Sequence, residues 1–214
     1  SMIGASAIQT GGGSITVKDL RWETTVGRQM SGLLLVPKGV SADNPAPAVV
    51  VSHGMYNNRE MQDLNFVELS RRGYVVLSMD MFSHGNSESY AATAADIVIG
   101  MYEAVKMMST LPYVDTARIG ITGHSLGGMS SNTAMGLDNA AQERLVAAVL
   151  LNCADATYVD GEGAYQNIYG SRDVGIMAAQ YDEWFFSQDD GAGGRTAPRD
   201  FIQNSNAQSF LHFG

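Results

Sequence analysis

The sequence is short of the residues that cross-link a fold or carry protons. It has one cysteine, Cys153, which excludes an internal disulfide framework and removes any demand for an oxidising compartment. Basic residues are scarce: 13 Lys and Arg against 22 Asp and Glu give a formal charge of -9. A nucleic-acid binder needs a basic face to neutralise phosphates, so nucleic acid is not an expected partner. No stretch reaches the roughly 18 consecutive apolar residues of a membrane-spanning helix, and no charged segment followed by an apolar core marks a secretion signal. The chain therefore reads as soluble, with its compartment open, and Ser1 and Met2 read as a cloning remnant ahead of an internal start. Histidine is scarce too, at four positions, His53, His84, His124 and His212.

Apolar residues, in contrast, make up 45% of the 214 positions, enough for one substantial core in one domain. The expected division is a glycine-rich flexible lead-in over residues 1–13 and a single domain over 14–214. "SITVKDLRWETT" and "QMSGLLLVP" carry the β-branched, alternating pattern of two strands that pair as an antiparallel hairpin across Gly27. "APAVVVSHG" is a continuous apolar run, as in a strand buried on both faces, and "REMQDLNFVELSRRG" spaces Met61, Leu64, Val67 and Leu69 as a helix that Gly73 stops. Strand "YVVLSMD", a helix within "TAADIVIGMYEAVKMMSTL", strand "RIGITG", a helix from Leu126 towards Leu137, and strands "RLVAAVLLN" and "DVGIMAAQ" follow. This alternation predicts an α/β fold: a mostly parallel, doubly wound sheet with an N-terminal antiparallel hairpin and its chemistry at the carboxyl ends of the strands. Beyond Asp182 the pattern shows neither a further strand nor a closing helix, so the last strand and helix are expected to be missing. That would leave a sheet edge exposed and inviting dimerisation.

At Gly123–Gly127, "GHSLG" matches G-x-S-x-G, a serine on a strained turn between a strand and a helix. Glycines two residues to either side leave room for the turn, and the helix N-terminus places partial positive charge beside an oxygen that becomes negative. Ser125 is the expected nucleophile and the Leu126 amide an expected oxyanion donor. The pattern alone is weak in a chain with 24 glycines, but here it follows the apolar strand "RIGIT" and opens a helix, the context that separates such an elbow from coincidence.

With this motif the sequence resembles the α/β-hydrolase superfamily, from about Ser14 to about Asp182. "VVVSHGM" is similar to the family's strand ending in His-Gly, which implies that the amide of Met55 completes the oxyanion hole. "VVLSMDMFSHGNS" resembles the strand ending in Asp80 and its loop with His84, Gly85 and Ser87 near the active-site mouth. "DVGIMAAQYDEWF" resembles the strand after which the family places its catalytic acid, which implies Asp182, with Asp155 as its rival. His53 and His84 read as strand-end residues whose rings bond to loop backbone, and His124 as a side chain that diverges from the serine hydroxyl and packs against or hydrogen-bonds neighbouring loops.

A serine hydroxyl needs an imidazole to take its proton, and the resemblance implies the chain order serine, acid, histidine. His212 is the only histidine downstream of Asp182. It has no evident strand before it, so the base is either His212 or a histidine of a longer natural chain, without which this chain is expected to be nearly inactive. The expected activity is hydrolysis of a carboxylic ester or related acyl compound, with no metal or organic cofactor and a small acyl substrate as partner. A noncatalytic binding domain of the same fold, and a peptidase or transferase using the same serine, are the alternatives. The segment over residues 154–173 is the lid candidate, with Tyr158, Tyr165 and Tyr169 for a pocket. Met107 and Met108 read as core filler, and Met79 and Met81 as core residues near the mouth.

Overall fold

Strands β1 (Ile15–Glu23) and β2 (Gln29–Pro37) pair antiparallel in unbroken register from Ile15 opposite Pro37 to Glu23 opposite Gln29. The turn between them uses Gly27 at φ 70°, in the left-handed region where a Cβ is penalised. In this computed structural model the described residues are 7–8, 10–89, 94–152, 173–179 and 211–213. β1 is an edge strand whose outer positions Lys18, Asp19, Arg21 and Glu23 are exposed and charged, which discourages pairing with another chain.

The chain then alternates. β3 (Ala46–Ser52) leads through a 3₁₀ turn (Arg59–Gln62) into α1 (Asp63–Arg71), and β4 (Val75–Asp80) into α2 (Ala94–Val98) and α3 (Gly100–Ser109). β5 (Val114–His124) leads into α4 (Leu126–Ala141), and β6 (Val146–Asn152), β7 (Asp173–Ala179) and β8 (Leu211–Phe213) join the same sheet, which has eight strands among the described residues. Its order is β1-β2-β4-β3-β5-β6-β7-β8, antiparallel at the first two pairings and parallel thereafter. The expected α/β-hydrolase architecture is thus observed. All six residues of β4 are buried, as an interior parallel strand requires.

Each face of the sheet has its own helix layer. Val98, Met101, Val105, Met108 and Met135 from α2, α3 and α4 pack on Ala48, Val50, Leu77 and Ile121. Phe66 and Val67 of α1 pack on the other face against Leu35, Val51 and Val76. Met79, Met81 and Met108 are fully buried, so their side chains fill the core. Phe66 buries its whole ring, worth roughly 1.5–3 kcal/mol.

Three elements differ from the sequence pattern. The helix expected within residues 93–111 is two, α2 and α3, and α3 starts at Gly100, where a Cβ would lie 3.1 Å from the Met30 side chain and 3.4 Å from that of Met79. β5 begins at Val114 rather than Arg118: Val114 pairs with Ala46, and the register then shifts across Pro47, which has no N–H to donate, before Ile119 pairs with Ala48. A final strand exists: β8 pairs parallel with β7, His212 opposite Ala178. Three residues are too few to carry a readable alternation.

Candidate active site

β3 and β5 are neighbours in the middle of the sheet, Ser52 opposite Gly123, so the loops leaving their carboxyl ends meet. Ser125 caps the start of α4 with φ 54° and ψ −114°, backbone strain of order 1–3 kcal/mol for a non-glycine residue. Its side chain is exposed, and among the described residues its Oγ has no hydrogen-bond partner. Its carbonyl accepts from Gly128 and Met129 at 2.8 and 3.1 Å and so starts the helix. The flanking glycines have specific reasons. A Cβ at Gly123 would collide with the backbone of Gly127, and one at Gly127 would lie 2.5 Å from the Ser52 carbonyl oxygen and 2.8 Å from that of His53. The first turn of α4 is therefore jammed against the end of β3, and the strain persists because the surroundings over-determine it.

Met55 follows β3 in a loop that touches the elbow: a Cβ on Gly54 would lie 3.2 Å from His124 Nδ1. His124 thus packs against this neighbouring loop, as expected. The rings of His53 and His84 bond to loop backbone. His53 Nδ1 lies 2.7 Å from the Gly54 carbonyl oxygen and its Nε2 accepts from the Met81 N–H at 3.2 Å. His84 Nδ1 lies 2.9 Å from the Phe82 carbonyl oxygen and its Nε2 accepts from the Tyr56 N–H at 3.3 Å. In each ring the acceptor role of Nε2 puts the proton on Nδ1. Burial is the largest influence on His53 and pushes its pKa below the ordinary 6.5, so both of its bonds are those of a neutral imidazole.

Asp80 organises the opposite side of these loops. Its buried carboxylate accepts from the Ser31 hydroxyl at 2.6 Å, the Arg59 N–H at 2.8 Å and the Asn86 N–H at 3.1 Å. Gly85 sits at φ 50°, where a Cβ would fall onto that carboxylate, and the Ser87 hydroxyl donates to the Asp80 carbonyl oxygen at 2.7 Å. The His-Gly-x-Ser signature after β4 is thus built from two loop staples and one close approach. Nearby, Arg59 forms a two-pronged ion pair with Asp19, both contacts at 2.9 Å. That pairing raises the guanidinium's pKa and lowers that of the Asp19 carboxyl. Sequence reading misses this pair because its partners lie on β1 and the 3₁₀ turn, with no periodicity linking them.

The structure brings Ser125, Leu126 and the Met55 loop together. Asp182, its rival Asp155, Cys153, the lid segment and Tyr158, Tyr165 and Tyr169 lie outside the described residues; His212 is described as a backbone position in β8. A groove of 560 Å³ between Val49, Leu69, Tyr74, Arg118, Thr122 and Leu150 lies on the α1 face and includes neither Ser125 nor Met55. No three His, Cys, Asp or Glu side chains cluster as a metal site among the described residues, and no described helix is long and apolar enough to cross a membrane.

Over residues 6–160 the chain matches the family described as "Esterase FrsA-like". It is 32% identical to esterase FrsA of Vibrio vulnificus over 113 residues, which are 52% of this chain and 26% of that protein. It is 25% identical over 136 residues to the uncharacterized peptidase YuxL of Bacillus subtilis, covering 57% of this chain and 20% of that one. The chain thus spans about a quarter or less of the length of these relatives. Among solved structures, EstE1, a thermostable carboxylesterase cloned from a metagenomic library, superposes with a TM-score of 0.69 at 17% identity, over 92% of this chain and 78% of that one. At that identity the likeness speaks for the fold.

Proposed function

The chain belongs to the FrsA-like esterase family, and from that premise we propose that it is a serine hydrolase that cleaves a carboxylic ester through an acyl-enzyme on Ser125. The observation that carries this reading is the strained, exposed backbone of Ser125 at a strand-to-helix turn, a costly conformation with an evident use in presenting a nucleophile. In this mechanism the Ser125 hydroxyl attacks the ester carbonyl as its proton passes to a histidine. The N–H groups of Met55 and Leu126 hold the oxyanion. The imidazolium returns the proton to the departing alkoxide, and a water then repeats the sequence to release the acid.

His212 is the base this reading assigns within the chain, and Asp182 the acid that orients it. Their backbone context supports the pairing: Asp182 follows β7 by three residues, and His212 lies in β8, the strand hydrogen-bonded to β7. A fluorophosphonate probe tests the nucleophile. The native protein should be labelled and Ser125→Ala should not. A folded native protein that resists the probe refutes the esterase reading and favours a noncatalytic domain that binds a ligand or partner.

The similarity to YuxL favours, as a second reading, cleavage of a peptide bond by the same serine. Parallel assays with a nitrophenyl ester and a matched anilide separate the two.

A further inference from the structure

The N–H of Met55 belongs to the same planar, trans peptide unit as the carbonyl of Gly54, and in such a unit the two groups point in opposite directions. Whatever holds the Gly54 oxygen therefore aims the Met55 N–H. That oxygen is held twice, by His53 Nδ1–H at 2.7 Å and by the Asn57 N–H at 3.3 Å. The His53 ring cannot turn away, because it is fully buried and its other nitrogen is engaged by the Met81 N–H at 3.2 Å. The next peptide is held as well: His84 Nε2 accepts from the Tyr56 N–H at 3.3 Å. Tyr56 sits at φ 62° with 91% of its surface exposed, so hydrogen bonding rather than packing keeps its backbone in a strained conformation. The two rings lie 5.1 Å apart at centroids, tilted by 56°, one on each side of Met55 in sequence.

We propose that His53 and His84 are positioning residues that clamp the peptides on either side of Met55 and so aim its N–H at the substrate's carbonyl oxygen. The proposal rests on the reading of Ser125 as the acylated nucleophile. Neither ring touches a reacting atom. His53 acts through the Gly54 carbonyl, and His84 keeps Tyr56 from rotating the unit back. A flipped unit would present the Gly54 oxygen to the oxyanion in place of a donor, reversing the sign of the interaction. The depressed pKa of His53 agrees with a neutral ring that donates from Nδ1.

The test compares His53→Leu with His53→Asn, whose side-chain amide nitrogen can stand near the position of Nδ1. His53→Leu should lower kcat by about 10²–10³-fold, as loss of one oxyanion donor does, with KM within a few-fold, and His53→Asn should recover at least about tenfold of that loss. The decisive readout is the rate ratio between an ester and its thiono analogue, whose sulfur is a poorer hydrogen-bond acceptor. The ratio should fall towards one in His53→Leu. A purely structural role would slow both substrates alike, so an unchanged ratio, or equal rates for the Leu and Asn variants, overturns the proposal. If His53→Leu does not fold, the same ratio in His84→Phe against His84→Gln decides, since the Gln oxygen can still accept from Tyr56. A native protein that neither turns over an ester nor labels at Ser125 refutes the esterase reading instead. Crystal structures then judge the clamp: a Gly54 carbonyl pointing the same way in His53→Leu as in the native protein sinks it.

Discussion

Replacing Gly127 by alanine should damage both stability and rate, although alanine is the better helix former. The new Cβ would stand 2.5 Å from the Ser52 oxygen and 2.8 Å from the His53 oxygen, nearly 1 Å inside ordinary contact, and both obstacles are backbone. Overpacking costs about 1–3 kcal/mol, and rigid obstacles place this site at the upper end. Helix propensity returns about 1 kcal/mol, leaving a net loss of about 2 kcal/mol, or about 4–8 °C in Tm for a chain of this size. The way out is for the first turn of α4 to lift from β3. A displacement of about 1 Å between nucleophile and oxyanion donors is enough to cost about 10²-fold in kcat. Gly136→Ala is the internal control, since it lies in the same helix with nothing within 4 Å of its Cβ position. It should raise stability by up to about 1 kcal/mol and leave the rate alone. Calorimetry and ester turnover on the two variants decide the matter. A Gly127→Ala protein as stable and active as Gly136→Ala would refute the jammed contact between α4 and β3.

Two further outcomes follow from the same loops. Asp80→Ala should lower stability by about 3–5 kcal/mol, because the buried donors of Ser31 and Arg59 and the part-buried N–H of Asn86 lose their shared acceptor; a urea titration showing a shift under about 1 kcal/mol would contradict that role. Acid should destabilise the protein through His53: its folded pKa lies below 6.5, so as pH falls through that value the unfolded chain binds a proton that the native ring refuses. Between about pH 7 and 5, Tm should therefore fall more steeply in the native protein than in His53→Asn, and parallel curves would count against it. Asp19, whose pKa is lowered by Arg59, adds its own loss only in the more acidic range of carboxylate titration.

The strands and the nucleophile were legible because both are local. β1 and β2 announce themselves by a β-branched, alternating pattern, β3 to β7 by apolar runs, and Ser125 by two glycines in a five-residue window. Three kinds of feature were not. β8 is too short to show a period, and the close approach of Met30 and Met79 to Gly100 at the start of α3 comes from distant strands. The contacts of Asp80 with Ser31 and Arg59, and of Arg59 with Asp19, join residues 49, 21 and 40 positions apart in sequence, where spacing carries no signal. The motif residues His53, His84, Gly85 and Ser87 were visible, but their work as loop staples could be read only from where their atoms end.

The central pairing of β3 with β5 also governs when the site comes into being. Their partners, such as Ala48 and Ile119, are roughly seventy residues apart, so this parallel closure is slow compared with the β1–β2 hairpin, whose contacts are local. Ser125 acquires its strained geometry only when α4 docks on the end of β3. Recovery of reactivity after denaturant dilution should therefore lag behind early backbone structure, making the serine a reporter of this long-range closure.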